Sequence, residues 1–180
     1  MTNWYELGPF TVYDVETTGM SPSRDRIVEI SAVRINLDNS RSEYSTLVNP
    51  LMPIPKFSTR IHNITDDMVH QSPHFGTVGK EFTDFAMGST LVAHNARFDL
   101  GFLQESLNRE ILPLWEGKTL DTLPLVKQAY PGLETYKLQS LREVFHLSDD
   151  VGPAHRAYAD VAWTVEMLEI TLTALMNNTR

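Results

Sequence analysis

The sequence predicts an α/β fold, in which an antiparallel three-strand meander is extended by parallel strands into one mixed sheet flanked by helices. Three observations carry this prediction. Segments rich in β-branched and aromatic residues follow one another between residues 10 and 48, separated by turn-forming clusters. Strand-length apolar runs then alternate with stretches of helical periodicity, as they do where crossover helices join parallel strands. The chain closes on a long segment whose apolar residues recur at helical spacing.

In order, residues 10–16 (Phe-Thr-Val-Tyr-Asp-Val-Glu) read as the first strand, leading into Thr17-Thr18-Gly19. Residues 27–35 are the second strand candidate and 44–48 the third, with turns at Ser21-Pro22-Ser23-Arg24-Asp25 and Asn39-Ser40. Residues 49–55 hold three prolines in seven positions, which excludes a regular element and opens a long surface connection. Thr65 stands where an N-cap would, ahead of a short helix through Asp66, Asp67 and Met68. Residues 76–85 have helical spacing, and residues 90–93 (Thr-Leu-Val-Ala) have the length of a buried strand. Phe102, Leu103 and Leu107 mark a helix beginning at Phe98. Leu120-Asp121 closes another short strand, after which Thr122 and Pro124 open a helix in cap-then-proline order. Leu138, Leu141, Val144 and Phe145 form one apolar helix face, and a final helix is expected over about 154–176 with Val161, Val165, Leu168 and Leu172 buried.

At 180 residues, 42% of them apolar, the chain has the size of one ordinary globular domain, expected to span 1–180 with its core over about 10–175. No run of about 18 apolar residues is present to cross a bilayer, and the first six residues lack the basic and apolar regions of a signal peptide. A cytoplasmic protein without a membrane partner is the expectation. The absence of cysteine excludes disulfides, thiolate–zinc sites and cysteine nucleophiles, leaving carboxylates and histidines as metal ligands and favouring oxygen-loving cations. A formal charge of −8 argues against coating duplex nucleic acid through a broad basic surface. It is compatible with acting on nucleic acid through bound cations, since two of them would bring the loaded chain to about −4.

Asp14 and Glu16 lie two apart on a predicted strand, so both side chains point to one face. Adjacent carboxylates repel unless a cation or shared proton separates them; the plain alternative is that one of them faces solvent at a strand end. Asp99 follows a buried strand at the start of a helix, where α/β sheets often bind ligands, although the helix dipole alone explains an acid in a first turn. His94 and Asn95, at the same junction, can equally serve the backbone. His155 and Asp160 are five apart, a turn of about 500° that would leave them about 140° from each other on a regular helix. His155 is therefore expected on the loop entering the helix, with Gly152-Pro153 letting it move, as suits a general base that approaches water only when substrate is bound. A surface histidine at a helix start is the alternative.

Asp14-Val-Glu-Thr-Thr-Gly19, His94-Asn-Ala-Arg-Phe-Asp99 and His155-Arg-Ala-Tyr-Ala-Asp160 resemble, in order, the three motifs of the DEDDh (DnaQ-like) exonucleases. This family includes the proofreading epsilon subunit of bacterial DNA polymerase III. His62-Asn63-Ile64-Thr65 resembles a further family segment that usually has glycine at its second place; asparagine tolerates the left-handed backbone better than most residues. The resemblance covers about residues 10–175. It implies an RNase H-like fold and stepwise release of nucleoside monophosphates from single-stranded 3′ ends. It also implies two divalent cations about 3.5–4 Å apart, Mg²⁺ with Mn²⁺ able to substitute. On this likeness Asp14 bridges both cations, Glu16 and Asp160 hold the first, Asp99 acts on the second, and His155 deprotonates the attacking water. Thr17, Thr18, His62, Asn95 and Phe98 would contact the terminal nucleotide, Phe98 by stacking. Simple turn or core roles explain the same residues.

Within this chemistry DNA is the favoured substrate and 3′ RNA trimming the alternative. The oligoribonuclease branch usually has methionine where Thr17 stands, and no motif reports a contact to the RNA 2′-hydroxyl. A non-catalytic nucleic-acid or polymerase-binding module would be expected to have lost one or more of the five site residues, all of which are present. A DNA polymerase partner is compatible with the resemblance. The domain reaching almost to Asn177-Asn178-Thr179-Arg180 leads one to expect a freestanding nuclease.

Overall fold

The computed structural model describes residues 3–149 and 151–178; the end of the chain at Thr179 and Arg180 lies outside the described residues. Its centre is a five-stranded sheet of order β3-β2-β1-β4-β5. β1 (Phe10–Thr17), β2 (Ile27–Ile35) and β3 (Arg41–Leu47) form the expected antiparallel meander, and β4 (Thr90–Ala93) and β5 (Thr119–Asp121) add in parallel beside β1. Seven helices surround it: α1 (Lys56–His62), α2 (Asp66–Val69), α3 (Phe75–Ala86), α4 (Ala96–Arg109), α5 (Thr122–Ala129), α6 (Leu138–Phe145) and α7 (Ala157–Asn178).

Strand alternation sorts β1 into two faces. Tyr13 and Val15 join Phe82, Phe102 and Leu103 in the core beneath α3 and α4. Phe10 and Val12 point the other way and pack with Val161, Val165, Leu168 and Leu172 of α7. Asp14 and Glu16 continue that second row, so the period of two carries them onto the α7 face at the strand's C-terminal end. The opposite side of α7, with Ala159, Trp163 and Met167, is covered by α5 and α6 through Val126 and Leu141. A helix apolar on so many sides is buried on both, and this holds its first turn rigidly over the sheet.

The structure moves several expected boundaries. β3 begins at Arg41 rather than residue 44, because its pairing with β2 is set by the backbone ladder and not by its largely polar sequence. α1 forms directly after the proline-rich connection, where no helix was expected. α4 begins at Ala96 rather than Phe98, and α7 at Ala157 rather than about residue 154. Thr65 precedes α2 but makes no side-chain cap. Asp121, not Thr122, caps α5, accepting from the Leu123 N–H at 2.9 Å. Val144 turns to solvent while Leu138 and Leu141 are buried. Asn63 adopts the left-handed backbone its segment requires, with φ 60°. Among the described residues, no helix is long and apolar enough to cross a membrane.

Candidate active site

The C-terminal end of β1 and the first turn of α7 meet at one point. There Asp14, Glu16 and Asp160 each present a carboxylate oxygen within 4.8 Å of the other two. These side chains converge because strand alternation and the α7 packing face select the same side of the sheet. Asp160 Oδ1 is buried and has no hydrogen-bond partner among the described residues. An orphaned buried acceptor costs about 1–3 kcal/mol, and more when charged, unless something binds it. Three hard oxygen donors with one of them unsatisfied fit a divalent cation.

Electrostatics agree with that donor set. Burial, then the neighbouring carboxylates, push Glu16 up to about 8; burial alone is the leading cause that raises Asp160 to about 7, with the His155 backbone N–H pulling the other way. Asp14 is raised well above the usual carboxylate range, first by burial and then by Asp99, Asp160, Glu16 and Glu29. Carboxyl groups shifted this way bind protons more readily than free ones, and a cation held by them would displace those protons.

Asp99 stands slightly apart. It lies in the first turn of α4, 3% exposed, and its Oδ1 accepts the Val15 N–H at 3.1 Å. Burial raises it to about 8, opposed by its backbone hydrogen bonds. It thus borders the three-carboxylate set and is electrostatically joined to Asp14, while one of its oxygens is committed to β1.

His155 lies outside α7, as its spacing from Asp160 requires, on an exposed bend with φ 59°. It lines a cleft of about 550 Å³ together with Asp14 and Asp160. Asn95, Lys127, Tyr136 and Lys137 also line it. Asn95 takes a left-handed turn, φ 66°, between β4 and α4, and its N–H donates to Asp121. Beside it His94 is fully engaged: Nε2 donates to the Tyr136 carbonyl and Nδ1 accepts from the Thr122 hydroxyl, each at 2.8 Å. It ties the 130–137 segment to the sheet.

Thr17, Thr18 and His62 are knitted into the scaffold behind the site. The Thr17 hydroxyl donates to the Gly19 carbonyl, and the Thr18 N–H donates to the Arg26 carbonyl. The Thr18 hydroxyl accepts from the Arg26 N–H. His62, 2% exposed, accepts from the Ile64 N–H through Nδ1 and donates from Nε2 to the Thr17 carbonyl. Both of its ring nitrogens therefore face protein groups. Phe98 is half-buried against Phe102, with ring centroids 4.9 Å apart.

Three residues around the site, Glu29, Lys127 and Lys137, were not anticipated. Glu29 sits directly across from Glu16 and is bound by Arg156. The only signal in the sequence is a glutamate between Val28 and Ile30 in a largely apolar strand candidate, an arrangement that calls for a partner. Lys127 and Lys137 belong to helix and loop segments with no distinguishing pattern.

The profile of the RNase T exonuclease family matches residues 11–168. The chain belongs to this exonuclease family. Its relatives include the DNA polymerase III subunit epsilon of Treponema pallidum, 38% identical over 165 residues that cover 91% of this chain and 76% of the relative. A PolC-type DNA polymerase III of Caldanaerobacter subterraneus is 39% identical over 160 residues, 89% of this chain. This exonuclease-family chain spans only 11% of that polymerase's length. Exonuclease X, solved with a 5′-overhanging duplex DNA, superimposes with a TM-score of 0.68 at 30% identity, covering 94% of this chain and 92% of its own. Exonuclease I of E. coli, solved with a dT13 oligonucleotide, shares the fold with a TM-score of 0.83 at 18% identity, covering 94% and 42%. The mixed sheet with its flanking helices is thus the RNase H-like exonuclease fold that the sequence motifs imply.

Proposed function

We propose that this chain is a metal-dependent 3′-5′ exonuclease that releases nucleoside monophosphates from single-stranded 3′ ends of DNA. The observation that carries this reading is the convergence of Asp14, Glu16 and Asp160, of which Asp14 and Asp160 line a cleft together with His155. Asp14, Glu16 and Asp160 would hold one divalent cation, and Asp99 with Asp14 a second; Mg²⁺ suits an all-oxygen donor set that leaves room for waters and phosphate. Bound there, the cations neutralise the scissile phosphate and acidify water.

The protein's own residues supply the rest. His155, exposed in the same cleft, accepts the proton from the attacking water on a ring nitrogen and releases it to solvent. Lys127 and Lys137, which line the same cleft, offer ammonium groups to the phosphates of the incoming strand. Tyr136 and Asn95 bound the space left for the terminal nucleotide, and Phe98 stands at the same strand–helix junction. His62, Thr17 and Thr18 act by fixing the end of β1. The epsilon and PolC relatives make a polymerase partner a natural setting for this activity.

The test is a strand-shortening assay with 5′-labelled single-stranded DNA, RNA and mismatched primer ends, in Mg²⁺, Mn²⁺ or EDTA. Ladder formation from the 3′ end with either cation, abolished by EDTA and faster on DNA, is expected. No cation-dependent shortening of any substrate would rule the reading out.

A further inference from the structure

Glu29 is a buried carboxylate in the middle of β2, its side chain 3% exposed, and it is joined to the segment that carries His155. Its oxygens accept from Arg156 Nε at 3.2 and 3.1 Å and from Arg156 Nη2 at 2.7 Å. The same carboxylate accepts the N–H of Ala157, the first residue of α7, at 2.9 Å. Arg156 stands at the N-cap position, where a serine, threonine, aspartate or asparagine usually satisfies the first free N–H groups. A glutamate from a neighbouring strand performs that role here, and the fork of the guanidinium fixes its orientation at two points.

The other end of the segment lies close to α7. Gly152 takes φ 122°, and a Cβ there would meet the Tyr158 ring at 2.6 Å. Tyr158 in turn lies 5.3 Å from the Arg156 guanidinium. Residues 152–156 thus form a short bow that is anchored to the sheet at Arg156 and passes close against Tyr158 at Gly152. His155, with its left-handed backbone, projects from this bow one residue before the anchor.

We propose that Glu29 and Arg156 are positioning residues, which seat the His155 bow on the β1–β2 ladder so that the histidine meets the carboxylate set in register. Because Glu29 is the direct cross-strand partner of Glu16, the proton-accepting side chain and the cation-holding side chains are referenced to the same pair of strands. Neither Glu29 nor Arg156 needs to touch substrate. This inference rests on His155 being the general base.

A double-mutant cycle tests it. Arg156→Gln, measured on saturating single-stranded DNA with Mg²⁺, should lower kcat on the order of 10- to 100-fold, the scale of a misplaced catalytic group. KM and cation affinity should stay near the parent values. In a His155→Ala background the same substitution should cost nothing further, since there is no base left to position. Arg156→Lys, which keeps the charge but loses the fork, should fall between, and it replaces Arg156→Gln if the latter fails to fold. Losses that multiply in the double variant, or an unchanged kcat for both Arg156 variants, overturn the proposal while leaving the base assignment intact. A His155→Ala enzyme with the parent rate overturns both, and is recognised from that single variant.

Discussion

Glu16 on β1 and Glu29 on β2 face each other as direct cross-strand partners on the side of the sheet covered by α7, yet their charges are answered differently. Glu29 is neutralised within the chain by the Arg156 fork. Glu16 is pushed up to about 8, with burial as the leading cause and Asp160 and Glu29 next. Like charges at paired positions destabilise a sheet. One of the two has a built-in counter-charge; the other is left for a cation.

Asp14→Asn and Asp160→Asn should therefore remove the cation rather than the fold. Calorimetric titration with Mg²⁺ or Mn²⁺ is expected to show binding lost or weakened on the order of 10- to 100-fold or more, with cleavage abolished. Parent-like affinity in both variants would show that the cation sits elsewhere.

His155→Ala should separate catalysis from binding. The rate is expected to fall on the order of 10²–10⁴-fold, as for loss of a general base, with cation affinity preserved because His155 lies outside the carboxylate set. Single-turnover kinetics at saturating DNA measure it directly.

The cation-free protein should lose stability as pH rises. Folded, Asp160 holds its proton to about 7 and Glu16 and Asp99 to about 8. Unfolded, carboxylates release theirs near pH 4. Between those limits the folded state binds more protons, so its stabilisation is complete below about pH 4 and is lost as pH climbs through about 7 to 8. Thermal melts in EDTA should thus show a falling Tm from about pH 5 to about pH 8.5, and Mg²⁺ should restore it most at the alkaline end. A metal-free Tm that rises across this window would contradict the burial of these carboxylates.

Lys127→Ala and Lys137→Ala should weaken substrate capture without touching chemistry. Both line the cleft that Asp14 and Asp160 also line. KM for a single-stranded oligonucleotide is expected to rise several-fold at unchanged kcat. The slope of log KM against log salt should flatten by about 0.7 for each phosphate contact removed. An unaltered salt slope in the double variant would mean the strand takes another path.

Much of this was legible in the chain. The two-residue spacing of Asp14 and Glu16 determined that they share a face, and the five-residue spacing of His155 and Asp160 determined that they cannot share a regular helix turn. β2 and β4 were readable to the residue because both are rich in β-branched and apolar residues over a strand's length and are bounded by turn residues. β3 and α1 were less so, since a polar edge strand and a helix following three prolines owe their existence to partners across the sheet. For β3 that partner is β2; for α1, Ser58 donates to the Thr18 carbonyl and His62 to that of Thr17.

By itself, then, the sequence determined the mixed α/β architecture, the order of the motifs and the chemistry of the donor set, because these depend on local periodicity and residue type. Tertiary structure alone decided which oxygens converge, that Asp99 spends one oxygen on Val15, that His62 turns both nitrogens inward, and that Glu29 answers to Arg156. Those outcomes depend on contacts between residues far apart in the sequence, Glu29 and Arg156 being 127 positions apart, and the packing of α7 across β1 and β2, with α4 and α1 against the end of β1, brings them together.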